Sequence, residues 1–157
     1  MARSAVLAGR TLADLSRSVI SLALMVVLGL LVGFSFNNDP ASVIAGLALV
    51  VIFGYAFSWV YATIGLATKD PETAQVAGIL PFFIPFFASN AIVPVATMPD
   101  WLQGFARNQP VSVTISAVRA LLEGTPAGHW VWQSLAWSAA ILLVFFAIAL
   151  HLFRTIT

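Results

Sequence analysis

Long apolar runs, each closed by a short polar or proline-bearing stretch, dominate this chain. They cover roughly residues 18–36 (SVISLALMVVLGLLVGFSF), 43–68, 73–89 and 130–153, and none has an Asp, Glu, Lys or Arg in its interior. A helix crosses a bilayer with about 20 apolar residues. Backbone N–H and C=O groups in hydrocarbon must bond one another, so such runs form helices. The pattern predicts an all-α membrane protein. It has four transmembrane helices, an amphipathic cytoplasmic helix over residues 1–17, and an outer re-entrant helical hairpin within residues 90–129, before the last span.

The punctuation between runs carries local signals. In NNDPAS (Asn37–Ser42), Pro40 is placed to start a helix. In KDPET (Lys69–Thr73), Asp70 suits an N-cap, Pro71 the first helical position and Glu72 the positive helix end. Pro81 and Pro85 share a face of the third run and are expected to kink it, since each removes a backbone hydrogen bond. Pro94 and Pro99 then stop regular helix. MPDWLQGFARN reads as a short helix with Pro99 near its start and Pro110 at its end. VSVTISAVRALLEG reads as a second, with Ser112 as candidate cap and Gly124 as candidate stop. Neither is long enough to span, and both are too apolar for a loop in water. A hairpin dipping into the outer leaflet and packed on the spans meets both limits.

Composition agrees with this class. The chain is 61% hydrophobic and 8% charged, against about 25% charged in soluble domains. A net charge of +1 offers no basic patch for nucleic acid. Without cysteine there is no disulfide, thiolate metal site or Cys nucleophile. The first residues, MARSAVLAGRTLADLSRS, carry scattered charges and no compact apolar region before a cleavage site, unlike a signal peptide. If the spans alternate, Arg3, Arg10, Arg17, Lys69 and Arg154 share one side and Arg107 and Arg119 the other. The basic side is cytoplasmic by the positive-inside rule, which places both termini inside. Trp130 and Trp132 then fall in the outer aromatic belt.

Several patterns admit two readings. Arg3, Arg10, Asp14 and Arg17 share a helical face, which fits either a docking surface or a solvated face of an interfacial helix. Gly29 and Gly33 make a GxxxG in the first run, and Gly46 and Gly54 share a face in the second. Such glycines serve a dimer contact or packing within one chain. Tyr55, Ser58, Trp59 and Thr63 form a stripe suited to lining a path for an amphiphile or to helix packing. Arg119 and Glu123 are four apart and can pair weakly. His129 and His151 lie far apart and define no metal or acid–base site. No phosphate-binding loop, dinucleotide fingerprint or Ser/His/Asp constellation is present, so no cofactor site or enzyme activity is expected of the chain itself.

The stretch FASNAIVPVATMPDWLQGFARNQPVSVTISAVRALLEG resembles the segment before the last span in ABC-2 type transporter permeases, closest to the daunorubicin-resistance-type drug exporters. The resemblance rests on Ser89-Asn90, Pro94, Met98-Pro99, Trp101-Leu102, Asn108-x-Pro110 and Arg119-Ala-Leu-Leu. GRTLADLSRS (Gly9–Ser18) resembles the cytoplasmic segment before that family's third span, and SWVYATIGLATKDPETAQ (Ser58–Gln75) the end of its fourth span and the turn into its fifth. Six spans are usual in the family and the last four match. The resemblance thus implies a single permease domain over 1–157 that lacks the first two spans and the segment before them.

It further implies a permease subunit in the bacterial inner membrane that exports a hydrophobic drug or lipid-like amphiphile. ATP is hydrolysed by a separate ATP-binding-cassette subunit, and the permeases form a homodimer or heterodimer. By resemblance, Arg3, Arg10, Asp14 and Arg17 form the ATPase-coupling face, and Pro94, Pro99, Trp101, Asn108, Pro110 and Arg119 belong to a re-entrant segment that closes the outer end of the pathway. A non-transporting remnant or assembly partner remains an alternative. A small proton-coupled multidrug exporter is a weaker one, because such coupling needs an ionisable group inside a span.

Overall fold

The computed structural model describes residues 2–156 except Phe34, Phe36, Asn37, Lys69 and Val93, with side chains described from Leu12 to Leu152. Six α-helices follow one another: α1 (Ala2–Leu31), α2 (Pro40–Ala67), α3 (Pro71–Phe87), α4 (Asp100–Asn108), α5 (Pro110–Glu123) and α6 (Gly128–Ile156). A 3-10 turn, Val95–Thr97, precedes α4. No strand occurs among the described residues. Among the described residues, three helices are long and apolar enough to cross a membrane, over Leu12–Leu31, Pro40–Ala67 and Gly128–Leu152.

The caps explain most boundaries. Asp39 accepts the Ser42 amide at 3.4 Å and its hydroxyl at 2.7 Å, and Pro40 opens α2. The second span therefore starts three residues before the expected Val43. Asp70 accepts the amides of Glu72 (3.1 Å) and Thr73 (3.3 Å) and the Thr73 hydroxyl, with Pro71 opening α3. Hydrogen bonds to each carboxylate, led by the Ser42 hydroxyl for Asp39 and the Thr73 hydroxyl for Asp70, hold both below the usual Asp range. Gly124 closes α5 in the left-handed region at φ 77°, a conformation glycine adopts without a Cβ penalty. The α6 helix outruns the expected 130–153 at both ends.

Three local expectations are corrected. The first span does not reach Phe36 as one helix: α1 ends at Leu31, and Gly33 turns at φ 97° while its amide donates to the Leu30 carbonyl. Gly29 and Gly33 therefore do not share a helix face. Ser112 is not a cap, because α5 starts two residues earlier at Pro110 with Gln109 in the cap position. The third run is too short to cross by itself: α3 has 17 residues, about 25 Å at 1.5 Å per residue, against a hydrocarbon core of about 30 Å. Pro81 and Pro85 both lie inside it.

Packing centres on α2, α5 and α6. The most extensive contact is between α2 and α6, and α5 lies against both. Small residues permit the close approaches. A β-carbon on Gly46 would stand 3.5 Å from Leu121 Cβ on α5, and one on Gly78 of α3 would stand 3.2 Å from the Tyr61 ring on α2. Nothing lies within 4 Å of such an atom on Gly54, so the two glycines of the α2 face have different roles. In contrast, α1 is one unbroken helix touching mainly α2, and none of its apolar window is buried.

Candidate functional site

The register of α3 sets the geometry of the candidate site. Gly78 meets Tyr61 over three-quarters of the way down α2, and Phe86 shares a groove with Phe53 near the middle of α2. Thus α3 stops about halfway along α2, and the chain must satisfy a helix end deep in the helical packing. A helix C-terminus leaves carbonyls without intrahelical partners.

Those groups are met by a polar hub that joins α3 to α5. The Gln109 amide nitrogen donates to the Pro85 carbonyl at 2.8 Å and to Ser112 Oγ at 3.1 Å. Ser112 Oγ also accepts the Asn90 backbone amide at 3.2 Å, and the Asn90 side chain donates to Ser116 Oγ at 2.8 Å. Ser89 donates to the Phe86 carbonyl at 2.6 Å and accepts the Ala91 amide at 3.2 Å. Ser89, Gln109 and Ser112 are buried at 0%, 3% and 2% exposure, depths at which a polar side chain must be bonded. Among the described residues, Asn90 Oδ1 and Gln109 Oε1 are buried acceptors to which the protein supplies no donor.

Further hydroxyl and amide bonds hold the hairpin in place. Thr114 and Ser134 share a hydrogen bond of 2.7 Å between α5 and α6. The Asn38 side chain donates to the Leu121 carbonyl at 2.8 Å, tying the α1–α2 turn to the end of α5. Within α4, Gln103 donates to the Met98 carbonyl at 2.9 Å, Arg107 to Gln103 Oε1 at 3.2 Å, and Asn108 to the Gly104 carbonyl at 3.0 Å.

The residues singled out from sequence fall into three places. In the re-entrant segment, Pro94, Pro99, Trp101, Asn108 and Arg119 are exposed, Trp101 at 80%, and Pro110 is half-buried. The buried residues of that segment lie elsewhere: Met98, Ala106 and Gln109 before α5, and Val111, Ser112, Val113, Thr114, Ala117 and Ala120 on it. On α2 the stripe divides. Thr63 donates to the Phe145 carbonyl at 3.1 Å, and the Trp59 ring meets Phe146 edge-on at 5.0 Å, so both face α6. Ser58 donates to the Tyr55 carbonyl at 2.7 Å. Tyr55 lines an apolar groove of about 540 Å³ between α1, α2 and α6, together with Leu15, Ala56, Ser138 and Leu142. Asp14 and Arg17 are exposed on α1, whereas the side chains of Arg3 and Arg10 lie outside the described residues.

The sequence reading passed over Gln109, Thr114, Ser134 and Ser138. Their one signal was polarity within apolar surroundings, and Gln109 was masked by standing between the more distinctive Asn108 and Pro110.

An all-helical chain with apolar helices of membrane length, small-residue close approaches and a hydroxyl-and-amide hub is an integral membrane protein of polytopic type. The sequence model of the ABC-2 family transporter protein matches residues 1–151, and the chain belongs to that family. It is 35% identical over 151 residues to the daunorubicin resistance ABC transporter permease protein DrrB1 of Streptomyces coeruleorubidus, covering 96% of this chain and 53% of the relative. It is 32% identical over 143 residues to the probable doxorubicin resistance ABC transporter permease protein DrrC of Mycobacterium tuberculosis, covering 90% and 51%. The doxorubicin resistance ABC transporter permease protein DrrB of the same organism is 28% identical over 119 residues, covering 76% and 41%. The chain spans about half the length of these curated relatives. No solved structure matches it.

Proposed function

We propose that this chain is the membrane-spanning part of a permease subunit in an ABC-type exporter of the bacterial inner membrane. Its cargo is a hydrophobic drug or lipid-like amphiphile, and a separate subunit hydrolyses the ATP. The observation that carries this reading is the match over 96% of the chain to a permease named for daunorubicin resistance.

In this reading the chain passes from one side to the other four times with both termini cytoplasmic, the third passage being made by α3 together with the hairpin beyond its end and not by α3 alone. The short α3 enters from inside, and α4 and α5 occupy the outer leaflet beyond its end. A central Arg costs about 2.5–3.5 kcal/mol on insertion scales, which favours keeping Arg107 and Arg119 in an outer hairpin. The hairpin closes the outer end of the pathway, and two permease units pair around it.

Work enters through α1. The helix is continuous from the charged face of Arg3, Arg10, Asp14 and Arg17 to Leu31, so a tilt at an ATPase surface becomes a tilt of the span. Leu15 of α1 and Tyr55 of α2 bound the same groove, and such a tilt changes its width. Loose packing of α1 suits that motion, whereas the tightly packed α2, α5 and α6 form the static side. Of the stripe, Tyr55 faces the groove and is the best placed to meet cargo.

The test is ATP-driven export by the complete transporter containing this chain and its ATPase. Asp14→Lys and Gly9→Pro are expected to abolish export while leaving membrane insertion intact, the first by altering the docking face and the second by breaking the helix. Unchanged export in both would make residues 2–17 an interfacial anchor only. Cysteines at Asn38 and Thr157 are expected to label from opposite sides; labelling of both from outside would reject the topology.

A further inference from the structure

A second groove, between α2, α3 and α5, plays no part in the reading above. Its volume is about 440 Å³, within the ~300–1,000 Å³ common for small-molecule sites. Its walls are apolar and rich in aromatic rings: Val50 and Phe53 from α2, Phe82 and Phe86 from α3, and Val118 and Leu122 from α5. The lining positions on α5 run from Val111 to Glu123, a length of about 18 Å at 1.5 Å per residue. The groove is therefore long enough to lie along an extended chain.

Polarity is confined to one end. Thr114 also lines the groove, but its hydroxyl is engaged by Ser134. Arg119 and Glu123 are the charged lining residues, and both are exposed. They stand one turn apart at the end of α5 that Asn38 ties to the α1–α2 turn. Among the described residues, neither forms an ion pair with the other.

This charge pattern selects the occupant. An apolar molecule would use neither charge. A simple cation suits Glu123 but is repelled by Arg119, and a simple anion meets the reverse. A head carrying both an anionic and a cationic group beside an apolar tail satisfies the whole surface. Arginine's planar fork suits phosphate oxygens. A carboxylate accepts N–H hydrogen bonds from a primary ammonium, which a quaternary ammonium does not offer.

We propose that this groove holds a zwitterionic phospholipid of the phosphatidylethanolamine type. Its phosphate sits on Arg119, its ammonium on Glu123, and one acyl chain lies against Phe53, Phe82 and Phe86. The bound lipid bridges α5 to α2 and α3, so it fastens the hairpin to the helices around it. Lipid retention by this chain does not depend on the transport reading, and either can fail without the other.

Native mass spectrometry of the purified full chain, given equal amounts of phosphatidylethanolamine, phosphatidylcholine and phosphatidylglycerol, tests this directly. The ethanolamine lipid is expected to be retained roughly tenfold over the other two, the size of one charge-assisted hydrogen bond. Glu123→Gln should erase its advantage over phosphatidylcholine, and Glu123→Asp should preserve it. Arg119→Gln should lower retention of all three lipids. Phe86→Trp should reduce occupancy by filling the groove while leaving head-group preference unchanged. Helix content by circular dichroism identifies any variant that has lost its fold, and Glu123→Asp keeps the test open in that case. Equal retention of the three lipids, or a preference unaffected by Glu123→Gln, would overturn the proposal. So would Glu123-dependent binding of tetraphenylphosphonium with no lipid retained, which would make the groove a cation site.

Discussion

Helices α1 and α5 invert the usual relation between hydrophobicity and burial. The apolar part of α1 runs for 20 residues without one being buried. The shorter α5 carries Ser112, Thr114, Ser116, Arg119 and Glu123, yet buries Val111, Ser112, Val113, Thr114, Ala117 and Ala120. Lipid is the reason. Leucine gains nothing by leaving acyl chains for a neighbouring helix, whereas small and hydroxyl-bearing residues allow close approach and interhelical hydrogen bonds. Within a membrane, then, the core is marked by Ala, Gly, Ser and Thr, and the most leucine-rich of the long helices is the least buried.

Substitutions placed in the two helices should expose that inversion most strongly. Ala117 is fully buried on α5, and Ala117→Leu is expected to destabilise the fold by about 1–3 kcal/mol through overpacking. Leu24 on α1 is 60% exposed, and Leu24→Ala should change stability by no more than about 0.5 kcal/mol. Thermal unfolding in lipid nanodiscs measures both. Equal losses would show that α1 is covered by protein in the folded state.

The hub offers a similarly sized contrast between a buried and an exposed residue of the same hairpin. Gln109→Leu strips the Pro85 carbonyl of its side-chain donor and leaves Ser112 Oγ with the Asn90 amide alone, and an unsatisfied buried polar group costs about 1–3 kcal/mol. Trp101→Ala, at a position 80% exposed, should leave the melting temperature nearly unchanged. If Trp101→Ala proves the more damaging, the hairpin is held by its outer face and not by the hub.

A smaller effect is expected at the contact between α5 and α6. Thr114→Val and Ser134→Ala should each cost about 0.5–1.5 kcal/mol. The double variant should cost less than their sum, since both remove one hydrogen bond. Strict additivity would mean the hydroxyls act independently.

The smallest effects belong to the exposed caps. Asp39 and Asp70 titrate below 3.8 in the folded chain because hydrogen bonds favour their charged forms. A depressed pKa stabilises the fold above the unfolded pKa, and that contribution fades as pH falls through the lowered value. Carboxyl carbon shifts followed by NMR should place both midpoints below 3.8. Asp70→Asn, which keeps a capping oxygen without the charge, should remove the pH dependence but not the helix start. Midpoints at or above 3.8 would dissociate the caps from these carboxylates.

Much of this molecule is legible without coordinates. The start of α2 is signalled by Pro40 and that of α3 by Asp70-Pro71, and the end of α5 follows from Gly124, whereas the Asp39 cap of α2 is seen only in the structure. Each rests on bonds between residues a few positions apart, so a short window contains the cause. Apolar runs and the thin supply of charge define the membrane class in the same local way. What the tertiary structure alone decided is depth and facing. Phe86 and Phe53 line one groove, α3 stops halfway along α2, and Gln109 becomes the donor for a helix end far from it in sequence. Likewise Gly46 meets Leu121 while Gly54 meets open space, although both lie on one face of α2. Hydropathy cannot separate such cases, because in a bilayer an apolar side chain is equally satisfied by lipid or by protein. The choice is made by shape and by paired polar groups, and those depend on which helices come together.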